Sequence, residues 1–268
     1  MQLTTKQATP VQNLYFVSML VHFDLPSRNY RFRPTSGIKA HAAVIKAISA
    51  LDREAGFWLH ETKRNKPMSL AFLGNRLRLT FTGKDSLHYA EILSQYWQAN
   101  PSLCLGNEEI GVKDVELGGS NQSGIQTWND ICQPTLYRHL HFHFLSPTAF
   151  TKQDMRRRRY STFLPDSVQV FQNLAHRWQN LEGPTLPDSL NNYLDDGGCV
   201  ISEYKIRTTS FKDGNRTQIG FIGNVTYLIR NSEPEQILAL NQLTRLAPFV
   251  GIGYQVARGM GAVSTKLS

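Results

Sequence analysis

The chain has 268 residues, about 1.8 times a 150-residue domain, so two modest domains or one large one are expected. At 41% hydrophobic residues the composition is that of a globular protein, and no apolar run approaches the roughly 18 residues that a bilayer-spanning helix needs. Met1 to Pro10 is polar and lacks the basic-then-apolar build of a signal peptide, which makes a soluble, cytoplasmic protein the expectation. Cys104, Cys132 and Cys199 are widely spaced with no Cys-x-x-Cys pair, which argues against a disulfide framework and a cysteine-built zinc site. Basic residues number 29 against 21 acidic ones, and the net charge of +8 favours a polyanionic partner.

In chain order, Leu14 to Leu25 alternates, with Tyr15, Val17, Met19, Val21 and Phe23 on one face, and predicts a half-buried strand. Ile38, Ala42, Ile45 and Ile48 recur at helical spacing through Leu51, with Ser36 available as a cap. Met68 to Leu73 and Arg76 to Thr82 flank Gly74-Asn75 and predict a hairpin. Asp85 can cap a helix carrying Leu87, Ala90, Leu93 and Trp97, and Ile110, Val112, Val115 and Leu117 suggest a further strand. The Gly, Ser and Asn of Gly118 to Gly124 place a linker between there and Pro134. Beyond it come a strand over Leu136 to Leu145 and a helix with Val168, Phe171, Leu174, Ala175, Trp178 and Leu181 on one face. Val200 to Thr208 and Thr217 to Leu228 predict a long hairpin around Asp213-Gly214, Glu235 to Ala247 a helix, and Val256 to Lys266 a closing strand. The order strand, helix, strand, strand, helix, strand therefore occurs twice. The expected class is α+β, with two tandem ferredoxin-like (RRM-like, βαββαβ) domains over residues 1–133 and 134–268. That fold hosts unrelated chemistries and by itself implies no function.

The charge is unevenly spread. From Arg28 to Lys84 twelve Lys/Arg face three acids, a local charge of +9, while Asp85 to Thr135 sums to −6. This asymmetry predicts one charged face. A second cluster, Lys152 with Arg156, Arg157, Arg158 and Arg159, precedes Tyr160 and Phe163. It is either a solvated loop or phosphate contacts beside rings on which bases stack. Lys205, Arg207, Lys212 and Arg216 lie on the predicted hairpin of the second half and pose the same alternative.

Gly251, Gly253, Gly259 and Gly261 do not form the dinucleotide fingerprint, because Val256 stands where its third glycine would be, and no Gly-Lys-Ser/Thr phosphate loop exists. Nucleotide cofactors are disfavoured and none is expected. Two readings of the loop stay open: a backbone that turns its N–H groups toward phosphates with Arg258 as a charged fork, or a turn that needs positive φ.

Cutting RNA without a metal requires a base for the 2′-hydroxyl, an acid for the departing 5′-oxygen and cations around the phosphorane, and histidine suits the first two. The acids form no cluster of the kind a two-metal nuclease uses. His41 lies between Ile45 and Ile48 on the first helix's projection, and is either semi-buried and structural or catalytic. His60 ends a short helical segment before Glu61-Thr62-Lys63-Arg64-Asn65-Lys66. His139, His141 and His143 share one face of a strand and are read as solvated, RNA-contacting or, with no fourth ligand identifiable, metal-binding.

Four segments in register carry a resemblance. Pro248-Phe249-Val250-Gly251-Ile252-Gly253-Tyr254-Gln255-Val256-Ala257-Arg258-Gly259-Met260-Gly261-Ala262-Val263 looks like the glycine-rich loop of the CRISPR precursor-RNA processing endoribonucleases of the RAMP superfamily. Phe144-Leu145-Ser146-Pro147-Thr148-Ala149-Phe150, followed by Leu164-Pro165 and a helix ending Arg177-Trp178, agrees with that family, as does Gly220 to Tyr227. Ala55-Gly56-Phe57-Trp58-Leu59-His60, after a helix containing His41, is similar to its catalytic region.

The resemblance implies a metal-independent endoribonuclease that binds CRISPR repeat RNA and cleaves the precursor by 2′-hydroxyl attack, leaving a 2′,3′-cyclic (or 3′) phosphate and a 5′-hydroxyl. It places a catalytic histidine at His60, a second at His41, and a lysine shortly after, for which Lys63 and Lys66 compete. Some members carry a tyrosine on the first helix near Ile45, which this sequence lacks. The RNA grip would come from Arg156, Arg157, Arg158, Arg159, Gly251, Gly253, Arg258, Gly259, Gly261, Lys205, Arg207, Lys212 and Arg216. The CRISPR effector complex is the further partner implied, and a non-catalytic RNA-binding subunit of such a complex is the alternative.

Overall fold

The computed structural model describes residues 15–27, 29–32, 36–62, 66–118, 124–213 and 216–268, with the side chains of residues 211–213, 216 and 218 outside that description. The first half runs β1 (Tyr15–Asp24), α1 (Ser36–Leu51), α2 (Arg53–Glu61), β2 (Met68–Leu73), β3 (Arg76–Gly83), α3 (Ser86–Ala99), β4 (Ser102–Leu105) and β5 (Glu108–Glu116). Its sheet has the order β2-β3-β1-β5-β4, with β1 antiparallel to both β3 and β5. Without β4 this is the ferredoxin-like order, its helices α1 and α3 packing Val44, Ile48, Ala90 and Leu93 onto one face.

The stretch expected to be a linker is structured at its end. β6 (Gly124–Thr127) pairs with β1, and α4 (Trp128–Ile131) starts at a capping box in which the side chains of Thr127 and Asp130 each bond the other's backbone N–H. Trp128 then packs edge-on against Phe16 at 4.8 Å and Trp178 at 4.7 Å, so this short helix joins the two halves.

The second half runs β7 (His139–Thr148), β8 (Phe150–Gln153), β9 (Arg159–Thr162), α5 (Ser167–Asn180), α6 (Leu190–Asp195), β10 (Cys199–Asp213), β11 (Arg216–Ile229), α7 (Pro234–Val250) and β12 (Val263–Leu267). The sheet order β10-β11-β7-β12 repeats the first sheet's connectivity. Leu140, Phe142 and Phe144 face α5 and α7, while His139, His141 and His143 lie on the opposite face. β12 begins at Val263 rather than Val256, because Val256–Arg258 is a 3-10 turn set between glycines with positive φ.

β1 is buried on both faces rather than one. Its second face and that of β3 dock on the second half. Thr80 donates its hydroxyl to the Phe249 carbonyl at 2.6 Å, and Phe16 lies 5.8 Å from the Phe249 ring. Arg78 donates to the Val263 carbonyl at 3.0 Å, and burial lowers its guanidinium to about 10. Arg78 was counted into the charged face expected of residues 28–84, but it is only 3% exposed and belongs to the seam between the halves. Fully burying Phe16 and Leu20 there contributes about 2 kcal/mol each.

Candidate active site

A cleft of about 300 Å³ opens at this seam, lined by His41, Lys66, Arg177, Gln255, Val256, Ala257 and Arg258. Four separate elements meet there. His41 projects from the middle of α1. Lys66 follows α2, whose end it caps by donating from Nζ to the carbonyls of Leu59 at 2.5 Å and His60 at 3.2 Å. Those are among the carbonyls an α-helix leaves unpaired at its C-terminus, and a cation satisfies them in both charge and hydrogen bonding.

Arg177, at the end of α5, donates to the Gly253 carbonyl at 2.7 Å and to Asn173 Oδ1 at 3.3 Å, while Asn173 Oδ1 also accepts from the Gly253 N–H at 2.9 Å. Burial lowers its pKa to about 10, so it stays cationic at neutral pH. The 3-10 turn carries Arg258 against the start of α1. Gly37 touches the Arg258 carbonyl so closely that a Cβ there would overlap it.

His41 is mostly buried, and its Nδ1, shielded from solvent, has no hydrogen-bond partner among the described residues. Burial first, then the nearby charges of Lys66, Arg258 and His60, lower its pKa to about 4, opposed by the backbone of Ala257. The ring is therefore neutral at neutral pH and able to accept a proton. Lys66 is lowered as well, by burial and then by Arg258, with Glu61 acting against the shift.

The other expected site residues separate into groups. His60 is not among the residues lining the cleft; its side chain is 69% exposed and its Nδ1 pairs with Glu61 at 2.9 Å. Lys63 lies outside the described residues, as do the side chains of Lys212 and Arg216. Arg156, Arg157 and Arg158 form the exposed turn of the β8–β9 hairpin and Arg159 begins β9, with Arg158 held to Asp154 at 2.8 Å. Lys205 and Arg207 are exposed on β10.

The glycine loop departs from the phosphate-cradling expectation. Gly251, Gly253, Gly259 and Gly261 all have positive φ. The N–H groups of Gly251, Gly253 and Gly261 bond Ala247, Asn173 and Pro147, and the three glycines are buried. A Cβ at Gly253 would run into the Ala149 carbonyl. These three glycines fold the loop and leave no N–H for phosphate, whereas Arg258 is exposed and Gly259 half-buried beside it. Arg177 is the cleft residue that sequence reasoning did not single out as functional. Its place directly before the core residue Trp178 gives no signal, because the loop carbonyl that holds it, Gly253, is 76 residues away along the chain.

His141 bonds Thr226 at 3.0 Å and Ser268 at 2.8 Å, and no group of three His, Cys, Asp or Glu able to hold a metal exists among the described residues. No described helix is long and apolar enough to cross a membrane.

Residues 142–263 match the sequence model of the CRISPR-associated endoribonuclease Cas6 family. No curated protein matches the chain. Among solved structures, a Thermus thermophilus Cas6 is similar at a TM-score of 0.72 and 23% identity over 95% of this chain and 98% of its own. A product complex of the same protein gives 0.77 and 24% over 94% and 100%. A Cas6-related Pyrococcus furiosus protein gives 0.57 and 11% over 95% and 98%. Residues 142–263 are thus similar in sequence to the CRISPR-associated endoribonuclease Cas6 family, and almost the full length of the chain shares the fold of the solved Cas6 structures.

Proposed function

We propose that this protein is a metal-independent endoribonuclease that binds CRISPR repeat RNA and cuts the precursor at a phosphate seated in the cleft at the seam. Residues 1–133 supply His41 and Lys66, and residues 134–268 supply Arg177 and Arg258. The observation that carries this reading is a histidine held neutral among cations in an open cleft, with no carboxylate among the described residues lining it. The product complex solved for the Thermus thermophilus relative and a structure of a RAMP protein binding different RNA substrates, 13% identical at a TM-score of 0.58, agree with it.

In this reading neutral His41 takes the proton of the 2′-hydroxyl as that oxygen attacks the adjacent phosphorus. The bond to the 5′-oxygen breaks, leaving a 2′,3′-cyclic phosphate and a 5′-hydroxyl. Lys66 and Arg258 offset the charge of the phosphorane, and Lys66, its proton loosened by burial and by Arg258, supplies the leaving oxygen. His60, exposed at the rim, acts on His41 through charge and in binding rather than as the principal acid.

The test incubates repeat-containing RNA with the protein in EDTA. Cleavage should persist there and vanish when the scissile nucleotide is 2′-deoxy. His41→Ala should lose about 10²- to 10⁴-fold in rate, as expected for removing a general base, Lys66→Ala a comparable amount, and His60→Ala much less. Full activity in His41→Ala would refute the assignment, and binding without cutting would mark an RNA-holding subunit instead.

A further inference from the structure

The short helix α2 buries Gly56 and Leu59 against the first core and turns two large rings outward, leaving Phe57 66% and Trp58 50% exposed. Gly56 sits directly on Ser49 of α1, so the helix cannot roll to hide either ring. Phe57 stands one turn before His60 on the same face, beside the helix end that Lys66 caps. We propose that Phe57 and Trp58 form a nucleobase-stacking subsite that holds an unpaired RNA base next to the phosphate at His41. This rests on the endoribonuclease reading above and adds to it a subsite for a base.

Size and charge favour a base over a protein partner. Two rings that would bury about 150–250 Å² each if fully covered, and are already partly covered, offer far less than the roughly 800 Å² per side of a stable protein interface. They match the face of one or two bases. Of the charged side chains on the helix, Arg53 and Glu54 lie one turn before the rings and Glu61 is engaged by His60, while Lys66, which caps the helix end, and Arg258 line the cleft beyond it. An aromatic face beside such cations accepts any base, because every base has a π-face.

The experiment measures binding of a repeat RNA made uncleavable by a 2′-deoxy group, alongside cleavage of the all-ribose RNA. Phe57→Ala/Trp58→Ala should weaken binding by about 5- to 150-fold, the range for losing one stacked base, with an unchanged melting temperature. Phe57→Tyr/Trp58→Phe should restore binding. On RNA made abasic at one position next to the cleavage site, wild type and the alanine variant should bind equally. If the alanine variant binds as wild type does, or loses the same factor on every abasic RNA, the subsite is wrong while the endoribonuclease reading stands. Failure of wild type to bind or cut the RNA at all overturns both. A wild-type dimer that becomes monomeric in the alanine variant by light scattering assigns the rings to self-association and overturns the proposal.

Discussion

A histidine whose pKa is lowered by folding makes stability depend on pH in a direction that can be worked out. His41 falls from an ordinary value of 6.5 to about 4 in the folded chain. Between those values the unfolded chain binds a proton that the native chain refuses, so unfolding gains as pH falls and stability rises with pH. The cost is negligible above pH 7. It grows to about 2 kcal/mol at pH 5 and approaches about 3 kcal/mol below pH 4, at 1.36 kcal/mol per pH unit. His41→Gln removes the titrating group while keeping a similar polar volume. Urea unfolding at pH 7.5 and pH 5 for both proteins separates this effect from the carboxylates, which titrate alike in each. Wild type should lose about 2 kcal/mol more than the variant over that interval. Equal losses would mean that His41 protonates normally in the native state, and the argument for a neutral base would fail with it. The same shift predicts that the acid limb of kcat/KM, which reports the free enzyme's base, lies below pH 5 rather than near 6.5.

Gly37→Ala, at the second position of α1, places a Cβ on the backbone carbonyl of Arg258. The turn carrying Arg258 must therefore shift, so the melting temperature should fall and kcat should drop at least several-fold, as measured by single-turnover cleavage. Thr80→Val removes the hydroxyl given to the Phe249 carbonyl and leaves that buried acceptor and Ser69 without their partner. Chemical denaturation should show a loss of about 1–3 kcal/mol. Arg156→Ala/Arg157→Ala should flatten the dependence of log affinity on log salt by about 1.4, at roughly 0.7 per phosphate contact on a single strand. Arg158→Ala should flatten it less, because that guanidinium is turned onto Asp154.

Both βαββαβ units were legible because their elements keep a clean period: Val17, Met19, Val21 on β1 and Leu174, Trp178 on α5 fall on the core side as expected. Elements whose formation rests on distant partners were not. β6 hides in a Gly, Ser and Asn stretch and forms because β1 offers it an open edge. The β8–β9 hairpin reads as an arginine run because Asp154 organises the turn by accepting the N–H groups of Arg156 and Arg158 at 2.9 and 2.8 Å. The glycine loop was visible as a feature but open in meaning. Four glycines announce positive φ, and only the packing onto Ala149, Asn173 and Pro147 tells a folded turn from a phosphate cradle.

The charge excess was informative in sum and misleading in detail. A local +9 over residues 28–84 suggests one basic face around two histidines, yet Arg78 is spent inside the seam and His60 points to Glu61. The cations that bear on His41 come instead from both halves, Lys66 from one and Arg258 from the other. A neutral histidine in that cleft is thus a property of the docked pair of sheets. The charges that lower its pKa come from both halves, and this is why Thr80, Arg78 and Phe16, which are not among the residues lining the cleft but hold the halves together, belong to the physical account of the site.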